Sequence, residues 1–201
     1  MTGNVFIISA ASGTGKTTLV SRLVQHHSDI RVSISHTTRQ PRVGEVNGKH
    51  YHFVNQETFV RLVGEGAFLE HAQVFGNYYG TSIQAVRDMC AQGFDVILEI
   101  DVQGAAQVRQ SLPESVSIFI LPPTLDELEQ RLRERQTDSD DVIQIRLNEA
   151  RQEIEQAYLF DYVVINQDLN AAEADLWHIF KANRLNQNRQ KTNIEKVLQN
   201  L

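Results

Sequence analysis

The sequence predicts an α/β fold, a parallel sheet covered by helices on both faces, and three observations lead there. Short apolar runs alternate with helical apolar stripes along most of its 201 residues. The first run ends in a glycine-containing turn that leads straight into a helix. Two stretches, residues 35–80 and 126–146, break the alternation and mark insertions rather than core.

Val5-Phe-Ile-Ile-Ser is a buried parallel strand by its length and apolar content. From Lys16 the stripe Leu19, Val20, Leu23, Val24 defines a helix. Later strands are predicted at Asp95-Val-Ile-Leu-Glu-Ile, Val116-Ser-Ile-Phe-Ile-Leu and Tyr162-Val-Val-Ile. Between and after them lie the helical stripes Ile83, Val86, Cys90; Leu125, Leu128, Leu132; Ile143, Leu147, Ala150, Ile154; and Ala172, Leu176, Ile179, Phe180. The insertion at 35–80 holds six glycines and several aromatics with few helical stripes, so short strands and turns are expected in it. The charged stretch near 126–146 reads as an exposed helical flap, in which the acidic run Gln136–Asp141 turns the chain and caps the next helix. The polar tail from Asn183 reads as an exposed helix end that frays.

Composition narrows the function. With 41% apolar residues the chain can bury a core, and no run of about 18 apolar residues spans a membrane. The first residues carry no basic segment followed by an apolar stretch and a cleavage site, and Cys90 is the only cysteine, so a cytoplasmic protein without disulfides or a cysteine-rich metal site is expected. A net charge of −6 argues against a nucleic-acid partner. Within that acidic balance, 14 arginines stand against 5 lysines. Their planar forks suit bidentate contact with phosphates and point to small anionic ligands.

The turn after the first strand, Ala10-Ala11-Ser12-Gly13-Thr14-Gly15-Lys16-Thr17-Thr18, approaches the phosphate-loop pattern G-x-x-x-x-G-K-[ST]. Gly13 and Gly15 can take positive φ and let backbone N–H groups converge on an anion. Lys16 can reach terminal phosphates, Thr17 can offer its hydroxyl to Mg²⁺, and the helix start adds a favourable dipole. Ala10 departs from the pattern. Its methyl costs little in extended backbone and would be strained at positive φ, so residue 10 is expected at the strand end. Glu99 and Asp101, two apart at the end of an apolar strand, are expected to share one face beside this loop and to serve the Mg²⁺.

The segment Ser35-His-Thr-Thr-Arg39-Gln-Pro-Arg42-Val-Gly-Glu45-Val-Asn-Gly-Lys-His-Tyr51-His-Phe53 brackets a proline with two arginines that could clamp one dianionic phosphate. Phe68-Leu-Glu70-His-Ala and Gly76-Asn-Tyr-Tyr79-Gly-Thr81 follow, rich in hydroxyls. Four histidines, 36, 50, 52 and 71, share this lobe, and nothing in phosphate chemistry needs them as metal ligands. On the flap, Arg131 and Arg135 are four apart on one helical face, while Arg133 lies about 200° from Arg131 and points elsewhere. Arg146 lies on the next helix.

Taken together, "SGTGKTT", "SHTTRQPRVGEVNGKHYHF", "FLEHAQVFGNYYGT", "VILEIDVQGA" and "YVVIN" resemble guanylate kinases from Val5 to about Arg184, in order and spacing. The resemblance implies the P-loop nucleoside monophosphate kinase fold. Its core (1–34, 82–125 and 147–201, the last with the C-terminal helix) has a five-stranded parallel sheet, its mixed α/β GMP-binding lobe spans 35–81, and its helical lid spans 126–146. It implies ATP-dependent phosphorylation of GMP, and of dGMP, with Mg²⁺ and no nucleic-acid or membrane partner, and leaves a homodimer open. By resemblance, ATP is held by Ala11, Ser12, Gly13, Thr14, Gly15, Lys16, Thr17, Thr18 and Asn166, the last beside the adenine through mainly backbone contacts. GMP is held by Ser35, Arg39, Arg42, Glu45, Tyr51, Glu70, Tyr79, Thr81 and Asp101, and catalysis falls to Lys16, Arg39, Arg131, Arg135 and Arg146.

Base chemistry agrees with that set. Guanine presents N1–H and N2–H₂ as donors and O6 as acceptor, which calls for a carboxylate facing the donors and a hydroxyl facing O6. A site built on such buried polar groups rejects ligands that leave them unpaired, by roughly 10⁴–10⁵ in favourable cases. Two alternatives remain at this stage: a guanylate-kinase-like module that binds phosphoproteins without catalysis, and a related P-loop kinase acting on a sugar phosphate.

Overall fold

The computed structural model describes residues 3–74, 76–134 and 139–199. In chain order the elements are β1 (Val5–Ala10), α1 (Lys16–His26), β2 (Ile30–Val32), β3 (His36–Thr37), β4 (His52–Phe53), α2 (Gln56–Gly64), β5 (Phe68–Val74), β6 (Asn77–Ser82), α3 (Ile83–Ala91), β7 (Asp95–Glu99) and α4 (Val102–Ser111). They continue with β8 (Val116–Leu121), α5 (Leu125–Glu134), α6 (Asp140–Glu155), a 3₁₀ turn (Gln156–Leu159), β9 (Tyr162–Ile165), α7 (Leu169–Arg184) and α8 (Gln187–Gln199).

Five strands form a wholly parallel sheet in the order β2-β7-β1-β8-β9. Period-two alternation sends neighbouring side chains to opposite faces, and the core divides accordingly. Phe6 and Ile8 join Leu19, Leu23, Ile97, Ile118, Leu176 and Phe180 under α1 and α7. Ile7 faces the other way, with Val96, Leu98, Val86 and Val108 under α3 and α4. Phe6 stacks on Phe180 with ring centroids 3.6 Å apart, and each such fully buried side chain contributes about 1.5–3 kcal/mol. At the foot of the sheet Asp95 accepts from the Asn4 backbone and side chain (2.9 and 2.8 Å) and from Arg184 (2.7 Å), which ties the end of α7 to β7.

A second sheet, β4-β3-β6-β5, is mixed. β3 runs parallel to β4 and antiparallel to β6, which pairs antiparallel with β5. It leaves the core after β2 and returns through Ser82, whose hydroxyl accepts from the Ala85 N–H at the start of α3. Helix α2, which the residue pattern did not single out, starts on Asn55, whose side chain accepts from the Thr58 N–H at 2.8 Å. A third cluster, Leu128, Leu132, Ile143, Leu147 and Ala150, packs α5 against α6 and presses both onto Ala11.

One expectation needs correcting. The carboxylates at 99 and 101 do not share a strand face: β7 stops at Glu99, and Asp101 instead caps α4, accepting from the Gly104 N–H at 2.8 Å. The tail is an exposed helix, α8, none of whose residues is buried. The helical flap is two helices, of which α6 runs on to Glu155. Ser139 stands at the N-cap position of α6 without a side-chain capping bond, while residues 135–138 lie outside the described residues.

Candidate active site

The cleft lies at the carboxyl ends of the parallel strands, where the chain leaves β1 and β7 in opposite directions, the usual ligand position in an open α/β sheet. Ala10 pairs with Ile120 as the last residue of β1, so the extended backbone expected there is what the strand supplies. Gly13 and Gly15 follow with φ of 94° and 96°. A Cβ at Gly15 would lie 2.6 Å from the Asn166 side-chain nitrogen. The loop is braced from behind, since the Asn166 amide donates to the Thr14 carbonyl at 2.8 Å and the Arg131 guanidinium reaches the carbonyls of Thr14 (3.3 Å) and Asn166 (3.1 Å). Asn166 thus meets the loop through its side chain.

Helices α2, α3, α4 and α7 open on side-chain caps, whereas α1 opens on Gly15 with none. Its first N–H groups, on Lys16, Thr17 and Thr18, are left to a ligand. Ser12, Gly13, Gly15, Lys16, Thr17 and Thr18 line a cavity of about 300 Å³. Thr17 donates to Glu99 at 2.5 Å, and the Lys16 ammonium lies 3.8 Å from the same oxygen. Burial pushes the Lys16 pKa down, against the nearby carboxylates of Glu99, Asp101 and Glu153.

Across the cleft, Glu70 on β5 is 3% exposed. The Thr81 hydroxyl on β6 donates to it at 2.6 Å, and the Ser35 hydroxyl is 3.5 Å from that of Thr81. Burial raises the Glu70 pKa to about 7, with Asp101 adding to the rise and the Thr81 hydrogen bond opposing it. Gly104 belongs to this arrangement, since a Cβ there would lie 2.7 Å from a Glu70 oxygen. A glycine inside the first turn of a helix was the available signal for it.

Between the two halves the loop after β3 folds around Glu45. One of its oxygens takes the Arg39 guanidinium at 2.8 Å and the other the Arg42 backbone N–H at 2.7 Å. These contacts, the Arg39 hydrogen bond foremost, hold the Glu45 pKa down at about 2, and the same bond raises that of Arg39 against burial. Arg39 lies over the Tyr51 ring, 5.4 Å from its centroid, and Tyr51 meets Tyr79 edge-on. Arg39 is held inward, while Arg42 is exposed at the rim. His36 and His52 face each other at 4.7 Å within the lobe sheet.

One cavity of about 380 Å³ joins both halves: Ser12, Lys16 and Glu99 line it from the loop side, and Ser35, Tyr51, Glu70, Tyr79 and Asp101 from the lobe side. On the flap, Arg133 is held by Glu129 (2.8 Å) and Asp140 (2.5 Å), away from the loop that Arg131 reaches. Arg146 is half-buried on α6, and Arg135 lies outside the described residues. Residue reasoning missed Glu153, which lines the phosphate cavity.

The family model for guanylate kinase matches residues 2–183. The chain belongs to the guanylate kinase family. The guanylate kinase of Neisseria gonorrhoeae is 64% identical over 198 residues, covering 98% of this chain and 97% of that one. That of Psychrobacter arcticus is 51% identical over 201 residues, covering 100% and 97%. The crystal structure of guanylate kinase from Anaplasma phagocytophilum superposes with a TM-score of 0.78 at 34% identity, covering 94% of this chain and 89% of its own. The activity is that of a guanylate kinase, ATP-dependent phosphorylation of GMP, and neither the phosphoprotein-binding module nor the sugar-phosphate kinase is favoured.

Proposed function

We propose that ATP and GMP meet in line across the shared cavity, each held by the residues of its own side. The single observation that carries this is the cavity itself, in which a phosphate loop and a buried carboxylate with hydroxyl partners line one continuous space. On the donor side, the N–H groups of residues 11–18 and the Lys16 ammonium hold the ATP phosphates, and Asn166 fixes the loop's shape through Thr14. On the acceptor side, Glu70 and Asp101 face the two donors of guanine and Ser35 and Thr81 supply hydroxyls near O6. The GMP phosphate falls to Arg39, Arg42, Tyr51 and Tyr79, with Glu45 orienting Arg39.

An oxygen of the GMP phosphate attacks the γ-phosphorus of ATP as the bond to the β–γ bridging oxygen breaks, giving GDP and ADP. That oxygen is already ionised near neutral pH, so no protein base is assigned. Alignment and neutralisation of charge carry the rate, supplied by Lys16, Arg39 and the lid arginines 131, 135 and 146. Closure of the lobe over 35–81 and the lid over 126–146 excludes water, which protects ATP from hydrolysis. The Thr17 hydroxyl and Glu99 carboxylate, meeting beside the phosphate cavity, are hard oxygen donors that suit Mg²⁺ directly or through its waters. When bound, the ion would neutralise phosphate charge.

We extend the reading to dGMP as a poorer acceptor, to a cytoplasmic setting and to a homodimer. Exposed Tyr158, Leu159, Val163 and Ile165, at and beside the sheet-edge strand β9, support the dimer. Among the described residues no helix is long and apolar enough to cross a membrane. A coupled assay over a panel of acceptors (GMP, dGMP, AMP, a sugar phosphate) tests the assignment. GMP should exceed AMP by about 10⁴ in kcat/KM, and comparable turnover of AMP would overturn the guanine-reading roles.

A further inference from the structure

Gly104 stands where a helix gains nothing from glycine. It is buried in the first turn of α4, and glycine weakens a helix relative to alanine. Its φ is not positive, so backbone conformation does not call for it. What excludes a side chain is the space in front of it. A Cβ at 104 would lie 2.7 Å from one Glu70 carboxylate oxygen and 3.3 Å from the carboxylate carbon, with the Asp101 Oδ1 next at 3.4 Å. Only the Glu70 distances are closer than ordinary van der Waals contact. Further along α4, Gln107 binds both backbone groups of His71, accepting from its N–H at 3.1 Å and donating to its carbonyl at 2.8 Å. That clamp holds β5 against α4 right beside Glu70, so widening the gap to admit a methyl would break both bonds. The other Glu70 oxygen takes the Thr81 hydroxyl at 2.6 Å. The carboxylate is thus held between Thr81 and a bare patch of α4.

We propose that Gly104 is a positioning residue for guanine: its missing side chain sets where the Glu70 carboxylate stands and so helps to choose the acceptor base. A methyl at 104 would be accommodated by the group that gives most easily, the end of the Glu70 side chain. That carboxylate would turn away from Thr81 into the cavity it lines with Asp101. Asp101 itself stays, because its bond from the Gly104 N–H needs no change at the side chain. The base would then meet one carboxylate in place and one displaced. The first turn of α4 is also the positive end of that helix, so close approach favours the ionised carboxylate that guanine's donors require. The inference rests on the reading of Glu70 as a guanine-facing group.

Calorimetric titration of full-length Gly104→Ala, Glu70→Ala and the double variant tests it, with GMP and separately with a magnesium complex of a non-hydrolysable ATP analogue. Gly104→Ala should bind GMP about tenfold more weakly than the unaltered protein. It should bind the analogue within about twofold, which also reports an intact fold. Added to Glu70→Ala, the same substitution should change GMP affinity by less than about twofold, because no carboxylate is left to displace. The double variant should also melt no lower than Glu70→Ala. Equal GMP losses in both backgrounds, or no loss in Gly104→Ala, would overturn the positioning role and leave Glu70 on the base. A double variant that melts lower would overturn it too, by showing that the methyl meets something other than Glu70. Full GMP affinity in Glu70→Ala would instead overturn the guanine-facing assignment and the inference with it.

Discussion

Glu70 shows how burial makes a carboxylate selective. Guanine's donors need it ionised, yet burial raises its pKa to about 7. A carboxyl whose folded pKa is raised lends stability below its unfolded value near 4.5 and loses that contribution as pH rises through about 7. Ligand binding runs the opposite way, so GMP affinity should climb between about pH 6 and 8. Isothermal titration of the unaltered protein and Glu70→Gln across that range checks it, because the nucleotide's own phosphate ionisation is common to both. The variant should bind GMP about 10- to 100-fold more weakly at pH 8, the cost of one charge-assisted hydrogen bond, and lose its share of the pH dependence. Parallel curves would remove Glu70 from the base. The role proposed for this carboxylate came from family resemblance, since a single glutamate in Phe68-Leu-Glu70-His-Ala does not by itself say which face of the chain is buried. Glu153 was illegible for a related reason: its meaning comes from a loop more than 130 residues away.

At the level of elements, the phosphate loop was readable because its chemistry is local. A strand, two glycines at positive φ and an uncapped helix occupy one short stretch. Gly15→Ala should weaken ATP binding by about tenfold or more, since L-residues pay about 1–2 kcal/mol in left-handed backbone and the new Cβ meets the Asn166 amide at 2.6 Å. Nucleotide titration checks it, and near-normal affinity would show that the loop relaxes freely. The flap separates Arg131 from Arg133 by helical phase, as the spacing indicated. Arg131→Ala, which removes the contacts to Thr14 and Asn166, should lower kcat by about 10²-fold. Arg133→Ala removes exposed ion pairs alone and should change it by less than about twofold. Helix α2 and strands β3 and β4 escaped detection because they are short and draw their order from lobe contacts such as the packing of Phe59 on Phe68 and Tyr78, and β2, three residues long, draws its order from pairing with β7. Asp101 was misplaced by one element because a strand end and a helix cap look alike in sequence.

At the level of the whole molecule, the two sheets divide the labour. The parallel sheet presents the loop, the mixed sheet presents Glu70 and Thr81, the residues proposed to face guanine, and the chain crosses between them only after β2 and at Ser82. The lobe also rests on the core through Leu69 and the two His71–Gln107 hydrogen bonds between β5 and α4, so a closing rotation pivots about that contact. Small-angle scattering should therefore register a smaller radius of gyration with GMP and an ATP analogue together than with neither, and superimposable profiles would contradict closure. The most direct test is a crystal structure with both nucleotides bound. The account predicts the analogue's phosphates against the backbone of residues 11–18 and the guanine edge against Glu70, with the two phosphate groups facing each other beside Lys16. A guanine turned away from Glu70, or a triphosphate seated outside the loop, would contradict it.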